Sequence, residues 1–157
     1  MRTRRTTPAL LATEGERLVE HAFHEIEHGR FERSLSLFTG VGAAVTAAEI
    51  YFEHDSASFG NAWMWAPVAL GPVGTAVGIA GFFNRRAAKT ALPFASAVIA
   101  ANGLQGFYLH ARGIHQKPGG FSNFRYNMEM GPPLIAPLLV SLVGGMGMLA
   151  SILRRER

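Results

Sequence analysis

Two histidines stand just beyond the ends of apolar segments of the chain. His54 follows the first of four such segments, and His110 follows the third. Both segments are predicted to run outward through a membrane as helices, so the two histidines should lie at the same depth. Imidazole suits copper, iron and zinc, and histidine is also a ligand of haem iron. We therefore expect a haem b or transition-metal site at His54 and His110, with Glu49 and His115 as further metal ligands.

A purely structural role is the alternative for the same residues. Both histidines would then lie at the membrane interface and bind the backbone of the adjoining loops, and Glu49 would bridge two helices. Polar groups within a membrane need such partners because they are costly to bury alone. The spacing of these residues is not diagnostic of a cofactor, so both interpretations stay open.

A second group of metal-binding residue types lies before the first apolar segment. The run from His24 to His28 matches the pattern H-E-x-x-H, in which two histidines bind zinc and the glutamate activates water. The segment precedes the apolar segments on a short surface helix, which leaves no enclosing fold to exclude water. We therefore interpret His21, Glu25 and His28 as part of a solvated polar face, and metal binding there stays an open alternative.

Cations in the last predicted outer loop form the third group. Arg112, Lys117 and Arg125 lie there among aromatic residues that include Tyr126. Positive charge on the outer side of a membrane runs against the usual bias, so these four residues are predicted to bind a partner. Lipid headgroups, a quinone headgroup or an acidic patch of an extracytoplasmic protein would fit this chemistry. Alternatively, the cations pair with acidic residues of the outer loops.

Four long apolar segments must position these groups. Of the 157 residues only 17% are charged, below the roughly 25% of soluble domains, and the four segments 34–52, 62–83, 91–109 and 132–153 hold almost none of that charge. Each is long enough to cross a hydrocarbon core of about 30 Å as a helix. The fold is therefore predicted to be all-α, an integral membrane bundle of four transmembrane helices. Gly74 and Gly78 form a GxxxG pair that could join copies of the chain into an oligomer.

Charge outside these segments predicts the orientation. Twelve of the fifteen Lys and Arg residues lie before segment one, between segments two and three, or after segment four. The positive-inside rule then puts both termini in the cytoplasm and predicts a multi-pass protein of the plasma (inner) membrane. Residues 1–33 form a basic cytoplasmic segment without the apolar core of a signal peptide, and a capping-box pattern within it predicts an amphipathic helix over 13–29. Residues 53–61 and 110–131 form the outer loops, and 154–157 a basic tail.

The distribution of residue types bears on function. The chain has no cysteine, which excludes thiolate metal sites, iron–sulfur clusters and cysteine nucleophiles. Orientation explains the inner basic residues, so nucleic acid is not an expected partner. Histidines, cations and aromatic residues concentrate on the outer side, and the parts of the segments that would lie in the middle of the membrane carry almost no charged residue. We expect a non-catalytic anchor or accessory subunit of a membrane redox or metal-handling complex, in contact with an extracytoplasmic or membrane oxidoreductase. Alternatives are a haem- or metal-binding electron carrier and a small oligomeric transporter or channel.

Overall fold

The computed structural model describes residues 16, 17, 19, 20, 24 and 30–154. Over these residues the protein is helical and contains no strand. Six α-helices follow one another along the chain: α1 (Arg30–Ser56), α2 (Trp65–Phe83), α3 (Arg85–Lys89), α4 (Ala91–His115), α5 (Phe124–Met130) and α6 (Ile135–Leu153). Short 3-10 turns, Ala62–Met64 and Gly120–Ser122, precede α2 and α5. Within the predicted amphipathic helix over 13–29, residues 16, 17, 19, 20 and 24 are described and are helical, and the other twelve lie outside the described residues.

Among the described residues, three helices are long and apolar enough to cross a membrane. They are Arg30–Ser56, Ala62–Phe83 and Ile135–Leu153, the second including the 3-10 turn before α2. The third predicted span forms a helix of 25 residues, α4, but it is not one of these three. At 1.5 Å per residue its length suffices, and Asn102 and Gln105 lower its apolar character. The protein is therefore a helical chain with three candidate spans.

Glycines hold α1 against α2 at close range. A side chain at Gly78 would run into the backbone of Gly40, and one at Gly74 would meet Ala43 and Ile99. Small residues allow such close approach, which gives van der Waals contact where lipid offers no hydrophobic driving force. Gly74 and Gly78 are both buried inside one chain. The pair therefore packs helices within one chain, and association of copies through it stays a prediction that this contact does not test.

A second close contact joins α4 to α6. Gly144 lies against Ala100 and the backbone of Ser96, and Gly103 lies against Ser141. The Ser141 hydroxyl donates a hydrogen bond to the Ala100 carbonyl, 3.1 Å away. The two helices therefore pack along the middle of their length.

The loop between α2 and α4 closes the inner end of the bundle, defined here by residues 84–90 and 151–154. Asn84 caps α3 by accepting hydrogen bonds from the backbone of Arg86 and Ala87. The Lys89 ammonium donates to the Ser151 carbonyl at 2.6 Å, where the last carbonyls of α6 have no helical partner. The Ser151 hydroxyl donates back to Ala88 at 2.6 Å. This reciprocal pair fixes the inner loop to the end of α6.

Candidate functional site

His54 and His110 come together at the outer end of the bundle, the end that holds residues 57–64 and 116–134. Both helices continue past their apolar segments, α1 to Ser56 and α4 to His115, and so carry the two imidazoles on regular backbone. The ring centroids lie 6.4 Å apart and the ring planes are nearly perpendicular, at 89°. Two histidines distant in sequence therefore form one pair, with one ring from α1 and the other from α4.

A hydrogen bond fixes the proton on the ring of His110. Its Nδ1 lies 2.7 Å from the carbonyl oxygen of Pro133. A carbonyl only accepts, so Nδ1 carries the proton and Nε2 keeps its lone pair. In a helix, the carbonyl of residue 133 would accept a hydrogen bond from the backbone N–H of residue 137. Pro137 has no N–H, so this carbonyl is available to the His110 side chain. An imidazole held in this way presents Nε2 as a ligand, as metal-binding histidines do.

The ring of His54 has a different environment. The residue is half-buried, and its Nδ1 is buried without a hydrogen-bond partner in the structure. A buried polar atom that lacks a partner costs free energy, so such an atom in a folded protein calls for an explanation. The second imidazole stands beside it. A ligand bound between the two rings would supply what the His54 ring lacks.

An aromatic cluster supports His54 from the side of the first outer loop. Phe59 lies 6.1 Å from the His54 ring, centroid to centroid, and stacks on Trp65 at 4.0 Å with 15° between the planes. Phe59 and Ser58 both have positive φ, 44° and 56°. A bulky residue rarely adopts this backbone conformation because its Cβ is crowded there. The stacking on Trp65 offsets the strain and holds the Phe59 ring against the histidine. Sequence analysis missed Phe59, which no motif marks.

The other two predicted metal ligands do not join the pair. Glu49 and His115 are both exposed, and the described ranges contain no group of three or more His, Asp or Glu side chains that could hold a metal ion. The helical repeat explains this result. Glu49 precedes His54 by five residues and His115 follows His110 by five, which turns each about 140° away from its neighbour. The predicted four-residue set therefore reduces to two histidines.

The predicted partner-binding residues are spread from the end of α4 to the start of α5. Arg112 is exposed near the end of α4, and Gly119 and Gly120 form a turn with positive φ, 82° and 47°. Lys117 holds its ammonium 5.5 Å from the centre of the Tyr126 ring. Arg125 Nε forms an ion pair with Glu129 at 3.0 Å, one helical turn away on α5. Among the three predicted cations, Arg125 is thus paired with an acidic residue of its own helix.

Of the inner histidine group, only His24 is described. His21, Glu25 and His28 lie outside the described residues, so the proposed polar face is not tested by the structure. Comparison of the chain with protein-family models, with curated proteins and with solved structures found no match. Function must therefore be argued from the geometry of the outer end.

Proposed function

We propose that the chain crosses the plasma (inner) membrane four times, with both termini in the cytoplasm. The packing of α4 supports the fourth crossing, because Gly103 and Gly144 hold α4 against α6 along the middle of both helices. A helix packed side by side with a spanning helix at mid-length lies at the same depth. The excess of Lys and Arg on the inner side supports the orientation.

In this membrane setting the protein acts as a non-catalytic accessory subunit of a redox or metal-handling complex. The observation that carries the proposal is the pairing of His54 and His110. A metal–nitrogen bond is about 2.0–2.1 Å long, so two imidazoles on one ion have centroids about 5–6.5 Å apart. The centroids here are 6.4 Å apart. The observed spacing lies at the upper end of this range, where the two nitrogens stand on opposite sides of the ion. It therefore supports a linearly bound copper(I) ion best, and tetrahedral zinc would need the rings to move closer together.

Two protein ligands are fewer than a structural metal site uses. A structural zinc site has four protein ligands, and an open position is filled by water or by another molecule. Phe52, Glu53 and Asp55 beside His54 are exposed, so a second protein can reach the pair from the side of α1. The open positions therefore fit a subunit that presents or receives a metal together with an extracytoplasmic or membrane oxidoreductase.

Metal analysis of the purified protein tests this proposal. The chain is stripped with a chelator in detergent, loaded separately with copper(I) and zinc, and desalted before the metal is counted. We expect about one ion per chain for one of the two metals, and loss of that ion in the double variant His54→Ala/His110→Ala. His115→Ala is the matched control, because it removes an exposed histidine from the same helix. An unloaded parent, or equal loss in the control, overturns the proposal.

A haem b electron carrier is the second candidate, and the same two residues would serve as its ligands. The ring spacing is also close to that of two imidazoles on opposite sides of one iron. The absorption spectrum separates the two candidates, because a haem protein has an intense Soret band and a copper(I) or zinc site is colourless. A Soret band lost in the double variant would replace the metal-ion proposal with the haem proposal.

An oligomeric transporter or channel draws less support from the packing. The cavity enclosed in the middle of the bundle, among Ala43, Gly71 and Ile99, has a volume of only about 10 Å³. That volume corresponds to roughly one water molecule. This pocket therefore offers no room for an ion or substrate path through one chain.

A further inference from the structure

The second outer segment, residues 116–130, carries large apolar side chains that no other part of the described structure covers. We name this segment the outer ledge. Phe121, Phe124 and Met128 are 53%, 71% and 68% exposed. No residue of α5 is buried, and a helix of seven residues has little stability of its own in water. Apolar patches that remain exposed beyond a fold mark surfaces that another phase or molecule covers.

The two ends of the ledge fix its depth. It starts directly after α4, and only four residues, 131–134, separate Met130 from α6. Four extended residues reach at most about 14 Å. If α4 and α6 span the membrane, these short connections keep the ledge near the membrane surface. The exposed side chains then lie within reach of the lipid.

The arrangement around α5 is that of a helix lying in the membrane surface. Phe124 and Met128 are four residues apart and share one face, and Arg125 and Glu129 lie on the adjacent face. Tyr126 and Met130 are also exposed and lie on the far side of the helix, so this apolar face is one of two. On the opposite flank, Asn127 donates a hydrogen bond to the Gly120 carbonyl at 2.8 Å and ties the helix to its own turn. An apolar face beside a charged face is the pattern of interfacial helices.

The charge of the ledge indicates which lipids it contacts. The ledge itself holds two basic side chains, Lys117 and Arg125, and one acidic side chain, Glu129, which is paired with Arg125, so its net charge is +1. Lys117 is positioned over the Tyr126 ring, which limits the freedom of its long side chain. Basic residues at a membrane surface attract anionic headgroups. The excess of positive charge therefore complements lipid phosphates.

We propose that the outer ledge lies in the plane of the outer leaflet, with Phe124 and Met128 inserted among the lipid chains and with Lys117 and Arg125 on anionic phospholipid headgroups. The surface thus anchors the outer end of the bundle to lipid and leaves the His54–His110 pair free for a protein partner. The proposal rests on the four-span arrangement. It does not depend on metal binding at the histidines.

Because the chain has no cysteine, single labels can test the ledge directly. Met128→Cys carries a nitroxide label in the full-length protein, reconstituted in vesicles of phosphatidylcholine with one-fifth phosphatidylglycerol. We expect the label to collide more with membrane-dissolved oxygen than with an aqueous nickel complex. Ser122→Cys is the control, because its exposed hydroxyl position should report water. A label at position 128 that favours the aqueous reagent overturns the proposal. So does one shielded from both reagents, because a protein then covers the ledge.

A second measurement tests the contact of Lys117 and Arg125 with anionic headgroups. The double variant Lys117→Gln/Arg125→Gln is purified from membranes beside the parent, and retained phosphatidylglycerol is counted per chain. We expect the variant to retain half or less of the parent's anionic lipid and the same amount of phosphatidylcholine. The pair Arg85→Gln/Arg86→Gln, which removes the same charge from the inner loop, is the control for lipids bound elsewhere. Equal retention in the ledge variant and the parent would overturn the headgroup contact.

Discussion

The imidazole of His110 donates a hydrogen bond from Nδ1 to the carbonyl oxygen of Pro133, 2.7 Å away. This bond joins the outer end of α4 to the segment before α6, and it leaves Nε2 as the ring nitrogen that is not engaged by Pro133. The proline at position 137 makes the bond available, because it cannot supply the backbone donor. A side chain that could bind a ligand is thus oriented by a gap in the backbone hydrogen bonding of the next helix.

Topology is the first prediction. An impermeant thiol reagent applied to intact cells should label Ser58→Cys and Ser122→Cys, and it should label Ala87→Cys only after the membrane is opened. Both outer positions lie in exposed turns of the structure. If Ser122→Cys is protected in intact cells although Ser58→Cys reacts, α4 does not cross the membrane and the four-span arrangement is wrong.

Metal binding should depend on pH in a defined direction. Imidazole ligates only as the neutral base, so protons compete with the metal below the pKa of the ring, ordinarily near 6.5. We expect the copper or zinc affinity of the detergent-purified protein to fall as the pH is lowered from 7.5 to 5.5. An affinity that is flat over this range would show that the ion is held by groups other than His54 and His110.

The contact of α1 with α2 should tolerate no side chain at Gly78. A Cβ there would meet the backbone of Gly40, which cannot move aside as a flexible side chain would. We expect Gly78→Ala to lower the free energy of unfolding in detergent by about 1–3 kcal/mol, the usual range for overpacking.

Gly145→Ala is the matched control for this prediction, since nothing lies within 4 Å of the added methyl group. Alanine is the better helix former, so this variant should be unchanged or up to about 1 kcal/mol more stable. Destabilisation of both variants by the same amount would contradict the packing argument.

Backbone strain in the first outer loop predicts a substitution that raises the free energy of unfolding, in contrast to Gly78→Ala. Ser58 has a φ of 56°, which glycine adopts without the crowding of a Cβ. Ser58→Gly should therefore raise the free energy of unfolding by up to about 1 kcal/mol. Phe59→Gly also removes a positive-φ side chain, but it should destabilise, because it removes the ring that stacks on Trp65. Thermal unfolding of both variants in detergent checks the two signs, and a loss of stability in Ser58→Gly would count against strain at this position.

The sequence determined the helical, membrane-type character of this protein and the elements that carry its chemistry. Apolar segments of about twenty residues cross a membrane only as helices or closed barrels, because backbone groups in lipid must be hydrogen-bonded within the protein. The prediction that His54 and His110 lie at the same depth followed from two outward-running helices with a histidine one or two residues past each apolar segment. The structure brings the two rings within 6.4 Å.

Only the tertiary structure decided which neighbours share that site. Sequence proximity put Glu49 and His115 beside the histidines, but the turn of the helix points both away. The glycine pair of α2 shows the same limit: its spacing marks close helix packing, and spacing alone does not say whether the partner helix belongs to the same chain. Phe59 carries no pattern at all, because its position depends on a strained turn that Trp65 stabilises across the loop. Rotation about a helix axis and contacts between distant segments are properties of the assembled bundle, so they were settled only when the helices were packed.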